Sequence, residues 1–187
     1  LLELLDENTQ GIQRIAAVVE RLRRFASNQS LDEHARLSAA ALLTDARTLV
    51  RSETRHRAEV LIDITEKMPK VRGDESALIH LLVNLLLNAC QALDDIPGGK
   101  GTIRMFAQHD GPTLQLGVED SGQGIPADLH ERVLEPFFTT RASPDRNGLG
   151  LSIANEIAVR HGGTLHISRS PLGGARVGID YAYSALL

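Results

Sequence analysis

Three clusters in this chain carry side chains suited to a flat, anionic ligand. The first is Asn84-Leu-Leu-Leu-Asn88-Ala-Cys-Gln91. Asn84 and Asn88 stand i and i+4, so a helix puts both on one face. An amide oxygen can ligate a hard cation such as Mg²⁺, and an amide NH2 can meet a phosphate oxygen. The plainer alternative is an Asn at a polar boundary bonding locally; two in register inside a leucine-rich run favour ligand chemistry. The second cluster is Asp120-Ser-Gly122-Gln-Gly124-Ile-Pro126. A carboxylate followed by two glycines can accept a hydrogen bond from an exocyclic amine while backbone approaches a flat base without a Cβ in the way. A plain tight turn is an equal reading of these residues taken alone. The third is Arg146-Asn-Gly148-Leu149-Gly150-Leu-Ser152. Glycines ahead of a helix leave free N–H groups at the positive end of its dipole, a ready phosphate site; they also make a hinge, and the two roles are compatible. Between the second and third lies Glu135-Pro-Phe137-Phe138-Thr-Thr140-Arg141. Its adjacent Phe residues suggest an anchor that packs a loop against the domain or a neighbouring helix. Thr140 and Arg141 are placed to reach phosphate oxygens.

These residues need elements to hold them. The apolar positions Leu78, Leu81, Leu82, Leu85, Leu86 and Ala89 predict a helix over 74–94. Alternation predicts strands over 58–65, 102–108 and 113–119, the last two joined by the turn dipeptide Asp110-Gly111. Residues 35–54 and 149–160 read as helices, and 164–170 and 175–183 as a closing strand pair. The Gly-, Pro- and Asp-rich stretch 120–148 is too long for an ordinary connection and reads as a functional lid. That order suits an α+β, two-layer sandwich in which a mixed sheet is covered on one face by helices. Ahead of it, Leu5, Ile12, Ile15, Val19 and Leu22 form an a/d seam along an amphipathic helix over 1–28. Such a stripe needs a partner, and a missing helix or second chain is the favoured one. The domain division is therefore 1–28 and 29–187.

Composition bounds the rest. The 187 residues are 42% hydrophobic and 24% charged, enough for one packed domain with an appendage. Aromatics are 3%, so the core is expected to be aliphatic. A net charge of −4 disfavours a general nucleic-acid or anionic-membrane binder. A lone cysteine, Cys90, excludes a disulfide framework and a multi-cysteine metal site. No apolar run approaches the roughly 20 residues that cross a bilayer, and no signal peptide is visible. The expectation is a cytoplasmic domain, cut from a longer protein because it opens on Leu1 rather than Met.

The ordered motifs NLLLNACQA, DSGQGIP, EPFFTTR and NGLGLSI resemble the ATP-binding catalytic domain of two-component sensor histidine kinases, a GHKL (Bergerat) fold. EPFFTT is most similar to the nitrogen-regulator subfamily, and the likeness runs over about residues 30–183, including the Arg160-His161-Gly162-Gly163 run. Residues 1–28 resemble the second helix of the dimerisation and phosphotransfer hairpin. The resemblance implies ATP and Mg²⁺ as cofactors. It implies that Asp120 holds the adenine amino group with Gly122 and Gly124 lining the base. Asn84 and Asn88 would manage the metal and phosphates, and Gly148, Leu149 and Gly150 would give backbone amides to the phosphate chain. Phe137 and Phe138 would seat the lid, with Thr140 and Arg141 beside the phosphates. It further implies a homodimer through the 1–28 helix, the protein's own hairpin helix as phosphoacceptor, a response-regulator receiver domain as partner, and no nucleic acid. The full-length parent is compatible with a membrane anchor.

Departures matter. Arg141 stands where the family usually has Lys, exchanging a point donor for a planar fork. Arg146 and Asn147 replace the first two residues of a common Gly-Thr-Gly. None of the seven histidines is a convincing phosphoacceptor; His130-Glu131 has the following acid but lies in the lid. The alternatives are a GHKL-type ATPase or a non-catalytic nucleotide-binding regulatory module. The ATPases place a Glu one turn before the key Asn; Asn84 holds that place and cannot act as a base. ATP is expected to slow proteolysis between Glu135 and Asn147. Equal cleavage rates with and without ATP would remove the lid from this reading.

Overall fold

The computed structural model of the chain describes residues 36–94, 100–111, 113–140 and 148–182. The 1–28 helix, the Pro97–Gly99 turn, Arg141, Arg146 and Asn147 lie outside the described residues.

Among the described residues, five strands form one mixed sheet. Ala58–Ile64 (β2) runs parallel to Gly101–Asp110 (β4). Thr113–Asp120 (β5) is antiparallel to β4, with Asp110 opposite Thr113, so the Asp110-Gly111 turn forms as expected. Ala175–Ala182 (β7) pairs antiparallel with β5 and with Gly163–Arg169 (β6), giving the order β2-β4-β5-β7-β6.

Three longer helices follow from their patterns. Glu75–Ala92 (α3) starts where the Asp74 carboxylate accepts the Ala77 amide at 2.7 Å, an N-cap that satisfies one of the helix's free donors. It buries Leu78, Leu81, Leu82, Leu85 and Leu86 at 0–2% exposure, which is why the leucine run folds inward. Ala39–Leu49 (α1) adds Leu42, Leu43 and Ala46; Gly150–Arg160 (α4) adds Ala154 and Ala158. Opposite them, strand alternation presents Ile103, Met105, Ala107, Leu116, Val118 and Ile179, so the helix-to-sheet layer is aliphatic. Cys90 is buried in α3, and burial pushes its thiol up to about 11. No described helix is long and apolar enough to cross a membrane.

The single helix read over 35–54 is corrected to three pieces. Arg36–Leu37 (β1) pairs antiparallel with Val71–Arg72 (β3). Ser38 is extended, with φ −84 and ψ 121, and α1 begins after it. Val50 leaves the helical region at φ −109 and ψ 18, and one further turn, Arg51–Thr54 (α2), follows. Long-range pairing and a buried β-branched residue broke what local periodicity had joined.

One large buried ring belongs to the other face of the sheet. Phe106 alternates away from Met105 and Ala107 and is 2% exposed. The Arg176 guanidinium lies 3.8 Å from its centroid, a cation–π contact. Arg176 and Arg104 both bond the Glu119 carboxylate, which is fully buried. Arg176 also donates to the side-chain oxygens of Gln108 and Gln115, at 3.1 and 3.2 Å. Arg176→Leu leaves Glu119 with Arg104 alone. The expected cost is about 3 kcal/mol in urea unfolding, the scale for stripping one partner from a buried ion pair. Adding Glu119→Gln should restore part of it; wild-type stability for the single variant would refute the assignment.

Candidate nucleotide site

Asp120 ends β5, and the chain around it is pinned. Ser121 exchanges bonds with Thr102 on β4: its amide donates to the Thr102 carbonyl at 3.0 Å and its hydroxyl accepts the Thr102 amide at 2.9 Å. The Asp120 side chain is 4% exposed. Its Oδ1 accepts the Gly122 amide at 2.8 Å and the Ala175 amide at 3.2 Å. Burial raises the carboxyl above its ordinary range, and these two amides pull it part of the way back. The Gly174 amide donates to the Asp120 carbonyl at 3.1 Å.

Such closeness excludes side chains. A Cβ at Gly174 would fall on Asp120 Oδ1, and one at Gly122 would stand 2.7 Å from the Ala92 carbonyl at the end of α3. Gly124 packs beside Gly174 as well. Gly174 is thus part of the site, and the sequence reading missed it. Its only signal in the sequence was the Gly173-Gly174 pair between the last two strands.

Asn84 is 5% exposed inside the leucine-rich helix. Its Nδ2 donates to the His80 carbonyl at 3.0 Å, one turn back. A Cβ at Gly150 would lie 4.0 Å from Asn84 Oδ1, so that oxygen points at the first residue of α4. Leu149 is the N-cap residue of α4 and is buried, and its apolar side chain cannot itself cap the helix. Asn88 is half-buried one turn further along α3. Asn84, Asn88 and Ala92 stand at i, i+4 and i+8, a row of about 12 Å on one helix face. One end meets the α4 N-terminus, and the other meets the Asp120 turn.

The loop after the site carries two short 3-10 turns, Ala127–Leu129 and Arg132–Leu134. His130 does not form an exposed pair with Glu131; its Nε2 lies 3.1 Å from the Ile125 carbonyl. The loop's two arms meet where the Phe137 amide donates to the Gly148 carbonyl at 3.1 Å. Gly148 has φ +63, and a Cβ there would sit 2.6 Å from the Phe138 carbonyl oxygen, so only glycine closes this stem without strain. The two Phe residues part company. Phe138 is half-buried with Arg132 4.6 Å from its centroid. Phe137 is held at φ +67 and is 69% exposed, so the expectation that both pack as an anchor is corrected for Phe137 within this domain. Thr140 is exposed. Among the described residues, no group of three or more His, Cys, Asp and Glu is arranged for a metal.

Residues 73–182 match the family model described as histidine kinase-, DNA gyrase B-, and HSP90-like ATPase. The sensor histidine kinase ZraS of Escherichia coli O157:H7 is 33% identical over 178 residues, covering 91% of this chain and 37% of that protein. The nitrogen regulation protein NtrY of Azorhizobium caulinodans is 36% identical over 120 residues, covering 62% and 15%. Full-length ShkA solved in complex with AMPPNP aligns with a TM-score of 0.67 at 25% identity, covering 84% of this chain and 32% of that one. The chain spans 26%, 37% and 35% of the length of the first three curated relatives it matches. With the mixed sheet and its helical layer agreeing with these relatives, the chain belongs to the histidine kinase-, gyrase B- and HSP90-like ATPase family and carries the ATP-binding catalytic domain of a sensor histidine kinase.

Proposed function

We propose that this chain transfers the γ-phosphate of ATP to a histidine on a hairpin helix, for relay to an aspartate of a response-regulator receiver domain. The observation that carries the reading is the row along α3. It joins a buried carboxylate, Asp120, to the N-terminus of α4 through two amide side chains, over a length that suits a nucleotide lying along the helix.

Each end has its own chemistry. The two hydrogen bonds that Asp120 accepts among the described residues both go to Oδ1, so Oδ2 is the oxygen that would accept from the adenine amine. Gly122 and Gly124 would line the base. At the far end, the amides of Gly148, Leu149 and Gly150 would meet the phosphate chain, where the helix dipole favours negative charge. Mg²⁺ typically takes one or two protein oxygens and fills its octahedron with phosphate and water oxygens, which the Asn84 and Asn88 amides suit. When bound, it would spread the charge that develops on the transferring group. Phe138, Thr140 and Arg141 would hold the loop and the terminal phosphate in line. The P–O bond to ADP breaks as the P–N bond to the acceptor imidazole forms, and the chain's task is orientation. Phe137 would face the hairpin. Residues 1–28 would supply the hairpin's second helix and a homodimer contact.

Asp120→Asn should weaken ATP binding by about 2 kcal/mol in calorimetry, the scale of a hydrogen bond to a charged group. The same variant should raise the stability of the ligand-free protein at neutral pH. A carboxyl raised by burial binds its proton more tightly folded than unfolded. Its ionisation therefore costs stability as pH rises above the ordinary 3.8, and Asn removes that cost. Unchanged ATP affinity would overturn the adenine assignment. Transfer itself is tested by adding labelled ATP and Mg²⁺ to this chain with a separate hairpin protein carrying its histidine. Acid-labile label on that histidine is expected, and label released only as inorganic phosphate would favour an ATPase.

A further inference from the structure

We infer that His161 is a positioning residue for the phosphate end of the nucleotide site, acting by capping α3 and α4 with one imidazole. His161 is the C-cap residue of α4, at the head of the Arg160-His161-Gly162-Gly163 run. Its Nδ1 lies 2.7 Å from the Ile157 carbonyl, which also accepts the His161 backbone amide at 3.2 Å in the last turn of the helix. Its Nε2 lies 3.1 Å from the Asp74 amide, which donates to it across 87 residues of sequence. Only the neutral imidazole with its proton on Nδ1 makes both bonds.

The Asp74 amide is the N-cap N–H of α3. A capping box fills that place with a Glu or Gln at the third helical residue. Here that residue is Ala77, which cannot reach back. The imidazole of the other helix takes over the bond, so the start of α3 and the end of α4 are fastened to each other. Gly73 is built for this contact: it sits at φ +148, and a Cβ there would collide with the His161 ring.

The fastening bears on the site because of where the helices meet again. From Asp74 to Asn84 is ten residues of α3, about 15 Å, and from His161 back to Gly150 is eleven residues, about 16 Å. The two helices are therefore antiparallel, and the stretches between these points are nearly matched in length. At one end of the packed pair stands the His161 clamp; at the other, Asn84 Oδ1 faces Gly150. Losing the clamp frees α4 to slide or pivot along α3, and the Asn84-to-Gly150 spacing changes with it. Asp120 hangs from β5, β7 and the C-terminal end of α3, so its geometry is held elsewhere. The inference rests on the nucleotide reading above and adds that His161 tunes only the phosphate half.

Two substitutions separate bridge from local cap. His161→Asn keeps a donor near the Ile157 carbonyl but falls short of Asp74. His161→Gln places an oxygen further out, where Nε2 was. For the full chain, ATP affinity with Mg²⁺ should fall about tenfold in the Asn variant, since misplacing phosphate contacts by even an ångström is costly. Adenosine affinity should stay at the wild-type value, and the Gln variant should recover most of the ATP affinity. Wild-type ATP affinity in His161→Asn overturns the proposal. So does an equal loss for ATP and adenosine, or a Gln variant as weak as the Asn one. Wild-type protein that fails to bind ATP sinks the nucleotide reading instead. Imidazole nitrogen NMR of the wild-type chain needs no variant: the Nδ1–H tautomer is expected, and the Nε2–H tautomer overturns the clamp.

Discussion

Keeping the Asp120 charge almost out of water is the constraint to which much of this domain answers. An ionised carboxylate in such a place is tolerated only if something else takes over the role of solvent. Two backbone amides do so, one from the turn just after β5 and one from the first residue of β7. Bringing β7 that close forces the residue before it to be glycine, and it forces Gly122 against the last turn of α3. The sheet order follows the same need, because β7 lies beside β5 rather than at an edge. The surroundings of Asp120 are therefore built largely from backbone.

The opposite end is assembled differently. There the polar groups come from a helix terminus and two amide side chains, and their spacing depends on how α3 and α4 lie together. Asn84 spends its NH2 on the His80 carbonyl and keeps its oxygen for the space near Gly150. A polar side chain in the middle of a leucine-rich face is a stability cost that an apolar residue would avoid. The hydrogen bond between the Phe137 amide and the Gly148 carbonyl lies immediately before this end.

Much of this was legible in the residues. The leucine periodicity of α3 was unambiguous, and strand alternation located β2, β4, β5, β6 and β7 to within a few residues. The glycine runs marked places where backbone meets backbone. What local pattern cannot carry is pairing at a distance. The β1–β3 ladder is two residues long, and its strands are 34 positions apart in register, so residues 36–37 merged into a neighbouring helix. Gly174 looked like ordinary turn chemistry because its importance lies in an oxygen contributed by Asp120, 54 positions earlier. The outward Phe137 is similar: pairing two aromatic residues predicted a shared role, whereas the fold leaves Phe138 half-buried and Phe137 exposed. The aliphatic core held on the helical side, while Phe106 found cover on the other face beneath Arg176.

Cys90 has a practical corollary. It is the chain's sole thiol, and burial in α3 lifts it to about 11. At pH 8 the reactive thiolate is then on the order of one molecule in a thousand, before any steric shielding. Native protein should ignore maleimides and mild oxidants on the timescale of a labelling reaction. A cysteine introduced at an exposed position such as Thr140 would carry a dye alone, making this fold a ready-made single-label reporter.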